Sequence, residues 1–412
     1  MKKHMRNVLL FIGLIGPGVI SAIAGNDAGG ITMWSVAGAE FGYALFWTMI
    51  PLTLLLVVTQ EMCARMGVVT GKGLADLIRE NFGLKMTVVL MIGLFLANFA
   101  TTVSEFAGIA AASELLGFDR FLVVLFAGFF VLFMIIRVNY KSLEKAFLLM
   151  CVFYVTYILS GFLAHPDWLH VAKSTITPVF STDKNYWILL VGIIGTTIAP
   201  WMQFYLQASI VEKGVKMSDY IYSKWELIIG GIVSNAISFF ILLAAAATLF
   251  TYGVHISSAA EAAVALEPVA GKFAGLLFAV GLFAAAFFGA FILPLSTAYY
   301  VCEAFGWESG VNKKLHEAKE FYGVITLLVL PPMLMVLVPH VPLVPVIILA
   351  QVINGLMLPI ILLAILYLVN NEKVMGEHVN AKGYNILCWI CFVVLTATTL
   401  IMVGVTVWQW VM

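Results

Sequence analysis

The chain has 412 residues, of which 62% are hydrophobic and only 11% charged, and its mean hydropathy is +1.04. This composition excludes a soluble domain and indicates a polytopic membrane protein, so we expect the lipid bilayer as a partner and no nucleic acid. The net charge of zero says nothing about partners, because the asymmetry of charge across the membrane is the relevant quantity.

Eleven apolar stretches are each long enough to cross a bilayer, which takes about 20 residues. They are numbered here as spans 1 to 11. They begin near Val8, Tyr43, Met86, Phe121, Phe147, Tyr186, Glu226, Phe273, Tyr322, Val344 and Tyr384. The sequence therefore predicts an all-α integral membrane protein with a single transmembrane domain over residues 1–412.

The positive charges predict the orientation of the spans. Of the 22 Lys and Arg residues, all but four fall in the connections on the side of the N-terminus. The four on the other side are Arg120, Lys173, Lys184 and Lys272. Because Lys and Arg gather on the cytoplasmic side, we expect a cytoplasmic N-terminus, an outside C-terminus and a location in the cell membrane.

The N-terminal segment resembles a secretory signal, with Lys2, Lys3 and Arg6 before an apolar run and the sequence AIA at residues 22–24. We interpret it instead as a retained first span. The run contains GPG at residues 16–18, resumes at Ile31 and is followed by ten more spans.

Two spans carry a polar, glycine- or proline-containing interruption: GNDAGG at residues 25–30 of span 1 and TTIAP at residues 196–200 of span 6. Such a break is tolerated at membrane depth only where it faces protein or a water-filled cavity. Breaks at matching positions of two halves indicate a binding site at the midplane. We therefore expect two inverted repeats of five spans, at about residues 8–164 and 186–369, followed by an extra helix at about 384–411.

Five cysteines lie within or at the ends of spans: Cys63, Cys151, Cys302, Cys388 and Cys391. The spacing of Cys388 and Cys391 is compatible with a metal or redox pair, but two small apolar residues one turn apart on a helix is the simpler interpretation. We expect no structural disulfide.

Asp27 is the foremost candidate for chemistry, because an ionisable group at membrane depth is costly and functional by default. Asn26 or Asp27 could cap the half-helix that restarts at Ala28. An anionic oxygen beside unwound carbonyls also suits a cation, and the two roles are compatible.

The second break offers further oxygen ligands. Pro200 removes a backbone donor, so the carbonyls around Thr196 and Thr197 lack partners within the helix. Gln203, Gln351 and, as a secondary polar group, Asn354 are additional oxygen donors, although each side chain alone more often makes a hydrogen bond between helices than a metal contact.

These hard oxygen ligands suit Mg²⁺, Ca²⁺ or Mn²⁺ better than soft metals. All seven histidines fall in tails, loops or helix ends, which argues against a histidine proton relay. Glu105 in span 3 is the other deep carboxylate and is either a proton carrier or a neutral structural group. Four more glutamates lie near span ends, where we expect them to be solvated: Glu61, Glu114, Glu226 and Glu303.

Several motifs together resemble the Nramp divalent-metal transporters over spans 1 to 10. GPG at residues 16–18 with AGNDAGG at 24–30 is similar to the family's GPG and DPGN of helix 1. RMGVVTGKGLADL at 65–77 resembles its helix 2 to 3 loop, and GTTIAP at 195–200 its helix 6 break. Gln351 with Leu358-Pro359 resembles its helix 10. The resemblance implies a LeuT-type fold with alternating access.

The chain departs from the family pattern at informative positions. Gly30 stands in place of the family's Asn, and APW at residues 199–201 replaces Met-Pro-His, so the thioether that favours transition metals is gone. Thr102 replaces the helix 3 Asp of the proton pathway, and FYG at 321–323 replaces an arginine-rich start of helix 9. This pattern resembles the Nramp-related magnesium transporters, which implies a widened site for a partly hydrated ion.

On this resemblance the metal ligands are expected around Asp27. They include carbonyls of Ala24 and of Thr196 or Thr197 and the amides of Gln203 and Gln351, while Gly30 and Ala199 leave room for water. The chain is then expected to be a monomeric carrier, not an enzyme, that imports Mg²⁺ and Mn²⁺ without stoichiometric proton entry and needs no cofactor. Two alternatives remain open: a proton-coupled Mn²⁺ or transition-metal importer of the Nramp type, and an amino-acid carrier of the same fold, although Asp27 would repel the carboxylate of an amino acid.

Overall fold

The structure is a computed structural model, and it describes residues 17–138, 140–256, 261, 263, 272–338 and 343–411. These residues form helices and no strands. The helices are α1 (Pro17–Ile23), α2 (Ala28–Phe41), α3 (Met49–Thr70), α4 (Leu74–Leu115), α5 (Arg120–Arg137), α6 (Tyr140–Val152), α7 (Val155–Leu163), α8 (Trp168–Ile176), α9 (Lys184–Thr197), α10 (Pro200–Lys213), α11 (Tyr220–Ala245), α12 (Lys272–Phe305), α13 (Lys319–Leu337), α14 (Leu343–Val369), α15 (Glu372–Met375) and α16 (Lys382–Val411).

Both predicted helix breaks are confirmed. In span 1, α1 ends at Ile23, a 3₁₀ turn follows over Ala24–Asn26, and Asp27 is extended, with ψ of −177°, before α2 begins. In span 6, α9 ends at Thr197 and α10 begins with Pro200 as its first residue. Proline suits the first position of a helix, because its missing N–H would have no partner there in any case.

A third interruption lies in span 5, where α6 ends at Val152 and α7 begins at Val155. The amide of Phe153 donates to the carbonyl of Met150 over 3.0 Å, and that of Tyr154 to Cys151 over 3.3 Å. These bonds join residues three apart, so the chain tightens into a 3₁₀-like turn there. Tight turns inside a helix often mark a hinge or a functional position.

Within the described ranges, ten helical stretches are long and apolar enough to cross a membrane. The first of them, Ala28–Thr70, has 43 residues and joins the second half of span 1 to span 2. Gly42 lies between the two at φ of 53°. It begins a 3₁₀ segment over Gly42–Thr48, so span 2 becomes α-helical only at Met49. The predicted start of span 1 at Val8 lies outside the described residues.

Helix α4 packs against both α12 and α14, and α14 packs in turn against α9. Gly195 of α9 and Gly355 of α14 permit the closest approach: a Cβ on Gly195 would collide with the carbonyl of Gln351. Small residues at such crossings let membrane helices approach closely. This approach brings α14 beside the break in span 6.

The periphery of the bundle is apolar and exposed, as expected for a surface in contact with lipid. On α5, Leu122 is 71% exposed and Phe126 66%.

The five cysteines are free thiols.

Candidate cation site

Asp27 caps the restarted half of span 1. One oxygen of its carboxylate, Oδ1, accepts a hydrogen bond from the amide of Gly30 over 2.7 Å, and the side chain is buried. A carboxylate at this position also interacts favourably with the positive end of the helix dipole. Because the cap occupies one oxygen, the carboxylate can still offer its remaining lone pairs to a cation.

The two breaks touch each other at Gly25. The hydroxyl of Thr196 donates to the Gly25 carbonyl over 3.0 Å. A Cβ on Gly25 would lie 2.8 Å from the carbonyl oxygen of Thr196 and 3.3 Å from that of Thr197. Carbonyls at the second break therefore face the backbone of the first break, and only glycine fits between them.

The α14 amides reach the same region. The Gln351 amide lies against Gly29, where a Cβ would collide with its Nε2 and would lie 3.2 Å from Oδ1 of Asp27. Asn354 donates to the Gln351 Oε1 over 3.3 Å. The predicted residues Asp27, Gly30, Thr196 and Gln351 are thus brought together around Gly25 and Gly29.

Several buried polar atoms near the breaks have no hydrogen-bond partner among the described residues. They are both amide atoms of Gln203, the Thr197 hydroxyl, Nε2 of Gln351, Oδ1 of Asn354 and Oε1 of Glu105. An unpartnered buried polar group costs about 1–3 kcal/mol, so most such groups in folded proteins are paired with protein or water. Their concentration at the two breaks is what a binding site for a hydrated cation requires.

Glu105 supplies a second carboxylate beside Asp27. Its Oε2 accepts from the amide of Ala28, the first residue of α2, over 3.1 Å, and the side chain is completely buried. Gly289 of α12 makes room for it, because a Cβ there would collide with the carboxylate. The start of α2 is therefore held by two carboxylates, one from its own chain segment and one from α4.

Two of the positions that depart from the family pattern, Gly30 and Ala199, lie at the breaks. Ala199 is 2% exposed and immediately precedes α10, and its carbonyl accepts from the amide of Met202 over 3.1 Å. At Gly30, the space that a side chain would take is filled by the Gly25 carbonyl and by the Thr196 hydroxyl, the latter 2.8 Å from the Cβ position, so the expectation that Gly30 leaves room for water was wrong at this point. The predicted ligand Ala24 is fully buried in the 3₁₀ turn of the first break.

Asn26 is committed to a structural role. Its amide nitrogen donates to the carbonyl and the hydroxyl of Ser234 over 3.0 Å each, and its Oδ1 accepts from the Ser238 hydroxyl over 2.7 Å. These bonds fasten the first break to α11. Of the two residues considered as caps, Asp27 therefore fills that role.

The expectation that the glutamates near span ends are solvated was wrong for Glu61 and Glu226, which are buried, and for Glu303, whose Oε2 is buried against Gly73. Glu61 pairs with Arg65 over 3.0 Å and accepts from the Tyr384 hydroxyl over 2.7 Å and from the Tyr220 hydroxyl. Glu226 accepts from the amides of Gly18 and Val19 over 2.9 and 3.2 Å. Apart from Arg65, one turn along the same helix, their partners come from distant helices, which is why position along a span did not reveal these contacts.

The sequence and the fold of this chain are both similar to those of known proteins. The family model for Nramp, described as natural resistance-associated macrophage protein-like, matches residues 18–404. The Bacillus subtilis (strain 168) divalent metal cation transporter MntH is 25% identical over 412 residues, which cover 97% of this chain and 93% of that protein.

Two solved structures resemble the whole fold. A crystal structure of the Eremococcus coleocola manganese transporter, in complex with an aromatic bis-isothiourea substituted compound, matches with a TM-score of 0.76 at 22% identity and covers 97% of this chain and 87% of that one. Mhp1, a nucleobase-cation-symport-1 family transporter in a closed conformation, matches with a TM-score of 0.61 at 13% identity, covering 96% and 92%. These similarities confirm the expected LeuT-type fold.

Proposed function

This chain belongs to the Nramp family of metal transporters, and from that premise we propose that it imports Mg²⁺, with Mn²⁺ as a second substrate. It acts as a transporter of divalent metal cations and not as an enzyme. In the proposal, the cation binds at Asp27 between the two broken helices. Transport then proceeds by alternating access in a monomer, with the N-terminus in the cytoplasm.

The observation that carries the proposal is the contact between the two breaks. The Asp27 carboxylate, the Thr196 and Thr197 carbonyls and the Gln351 amide converge on Gly25 and Gly29, all within the buried core. Carboxylate, carbonyl and amide oxygens are the ligands that Mg²⁺ and Mn²⁺ prefer. No cluster of three or more His, Cys, Asp or Glu side chains that could hold a metal occurs in the described part of the chain, which fits a site built largely from backbone and amide oxygens.

The preference for Mg²⁺ follows from the identity of residue 199. Alanine at this position offers no sulfur, and Mg²⁺ gains nothing from a soft ligand. Mg²⁺ gives up water reluctantly and is usually held through one or two carboxylates with several waters retained. The unpartnered amide atoms of Gln203 and Gln351 are suited to bind those waters.

The absence of stoichiometric proton entry is proposed from two residues in α4. Thr102 cannot carry a proton under physiological conditions, and its hydroxyl donates to the carbonyl of Asn98 over 2.7 Å within the helix. Glu105 uses one oxygen to hold the start of α2. A proton leaving Glu105 toward the cytoplasm would therefore need water to carry it past Thr102.

The experiment is ion uptake into proteoliposomes that contain a pH-sensitive dye. The proposal predicts uptake of Mg²⁺ and Mn²⁺ with no matching acidification, and uptake that an inside-positive potential opposes. Moving charge across the membrane costs about 2.3 kcal/mol per elementary charge per 100 mV. Acidification that tracks metal entry and disappears in Glu105→Gln would overturn the uncoupled mechanism.

A second candidate function, a proton-coupled Mn²⁺ importer of the Nramp type, is favoured by one observation. The second oxygen of Glu105, Oε1, is buried and has no partner in the described part of the structure. A carboxylate held beside Asp27 with one free oxygen is suited to take up a proton when the cation leaves. The dye measurement separates the two functions.

A further inference from the structure

Two buried tyrosines follow the interruption of span 5. Tyr154 is 1% exposed and Tyr157 is 0% exposed, and neither hydroxyl has a hydrogen-bond partner within the described ranges. A phenol can donate one hydrogen bond and accept others, so burying it unpartnered is costly. The two rings are neighbours, with centroids 6.2 Å apart, so Tyr157 is a suitable control for substitutions at Tyr154.

Contacts with α12 define the level at which Tyr154 lies. Phe147 packs on Phe288 with ring centroids 5.3 Å apart, and Tyr157 packs on Phe278 with centroids 5.1 Å apart. Residue numbers rise along span 5 as they fall along α12, so the two elements run antiparallel here. Tyr154 therefore lies between these two contacts, beside the middle of that stretch of α12.

The same stretch of α12 also reaches the start of α2, beside the candidate cation site. A Cβ on Gly108 of α4 would lie 2.6 Å from the Cβ of Ala28 and 3.0 Å from that of Ala286, so α2, α4 and α12 meet there. Ala28 directly follows Asp27.

We propose that Tyr154 is a positioning residue whose hydroxyl binds the water shell of the transported cation. The inference rests on the proposed function, because it requires an ion that keeps part of its water. A water bound to a divalent cation donates to the phenol oxygen, which has no hydrogen-bond partner among the described residues.

This role makes Tyr154 a determinant of selectivity. An ion that dehydrates reluctantly, as Mg²⁺ does, depends most on groups that hold its retained waters. An ion that sheds water more readily depends less on them. The phenol should therefore lower the KM for Mg²⁺ more than the KM for Mn²⁺.

The test is a pair of variants that each remove one oxygen atom, Tyr154→Phe and Tyr157→Phe. Uptake of Mg²⁺ and of Mn²⁺ is measured in proteoliposomes, with KM and kcat determined separately and folding checked by size-exclusion chromatography. Loss of one hydrogen bond predicts an increase of about two- to tenfold in the Mg²⁺ KM of Tyr154→Phe. We expect a smaller increase for Mn²⁺ and wild-type values for both ions in Tyr157→Phe.

The outcomes separate this inference from the proposed function. If the wild type carries Mg²⁺ but Tyr154→Phe matches it, or changes as Tyr157→Phe does, the inference is overturned and the proposed function stands. If the wild type carries Mn²⁺ but not Mg²⁺, the magnesium proposal fails. The inference is then judged on Mn²⁺: a raised KM confined to Tyr154→Phe supports it, and an unchanged KM overturns it.

Discussion

Thr196 donates a hydrogen bond from its hydroxyl to the backbone carbonyl of Gly25, over 3.0 Å, and so joins the two helix breaks directly. The first break belongs to span 1 and the second to span 6, which are the leading spans of the two predicted repeats. Because the bond is made to backbone, it depends on the course of the chain at Gly25. The candidate cation site therefore lies at the contact between the two breaks.

Gly25→Ala tests this contact. The added Cβ would lie 2.8 Å from the Thr196 carbonyl oxygen, which is backbone and cannot move aside alone. We expect divalent uptake to fall at least roughly tenfold, since a displacement near 1 Å at a binding site can cost about a hundredfold.

Gly323→Ala is the matched control, because a Cβ on Gly323 of α13 would meet nothing within 4 Å. Uptake by Gly323→Ala should match the wild type. Equal uptake by the two variants would show that the breaks need not be in contact.

Selectivity is tested by Ala199→Met. Without a thioether at position 199, Cd²⁺ should gain little over Mn²⁺ in the wild type and should not block Mg²⁺ uptake at low concentration. Ala199→Met should shift the preference toward Cd²⁺ and Mn²⁺ at the expense of Mg²⁺. Competition uptake measures both.

Tight calorimetric binding of Cd²⁺ to the wild type would contradict this ligand set and would point to Met202, whose methyl carbon lies 3.4 Å from the Cβ position of Gly25. Gly30→Asn is a less suitable companion to Ala199→Met. Its Cβ would collide with the Gly25 carbonyl, so a loss of transport there would reflect the backbone clash as much as the ligand.

The buried pair of Glu61 and Arg65 should contribute strongly to stability. The two side chains are 9% and 10% exposed, and Arg65 also donates to the carbonyl of His378 over 2.6 Å and to Asn380. Arg65→Gln leaves the Glu61 charge buried without its partner, which costs about 3–5 kcal/mol. Thermal unfolding in detergent should show a clearly lower midpoint.

Lys72→Gln provides the contrast, because the pair of Lys72 and Glu80 is 47% and 44% exposed. Exposed ion pairs contribute only about 0–1 kcal/mol, so its unfolding midpoint should hardly change. Equal midpoints for the two variants would mean that burial does not strengthen the Glu61 pair.

Glu226 should hold the first half of span 1 against α11. Glu226→Leu leaves the amides of Gly18 and Val19 without this acceptor, at a cost of about 1–3 kcal/mol. Glu226→Gln keeps an acceptor oxygen and should be nearer to the wild type. Hydrogen exchange at Gly18 and Val19 measures the effect, and equal protection in the two variants would contradict it.

The two breaks were predictable because glycine, proline and polar residues mark them in an apolar run. The turn in span 5 was not predictable, since CVFYVT at residues 151–156 contains no glycine or proline to mark its 3₁₀ bonds. Likewise, Asp27 could be identified from the sequence because it is a charge at membrane depth. The roles of Glu61 and Glu226 could not be predicted, because Tyr220 lies 159 residues from Glu61 and Gly18 lies 208 residues from Glu226 in the chain.

Asp27 provides the most direct test of the central claim, that one carboxylate at the first break binds the transported cation. Asp27→Asn keeps an oxygen that can accept from the Gly30 amide, and asparagine is as good a helix cap as aspartate, but the charge is lost. The account predicts that the Asn variant folds at normal levels and that its Mg²⁺ and Mn²⁺ uptake in proteoliposomes is abolished. Retention of more than about half of the wild-type Mn²⁺ uptake at equal protein would show that Asp27 is only a cap.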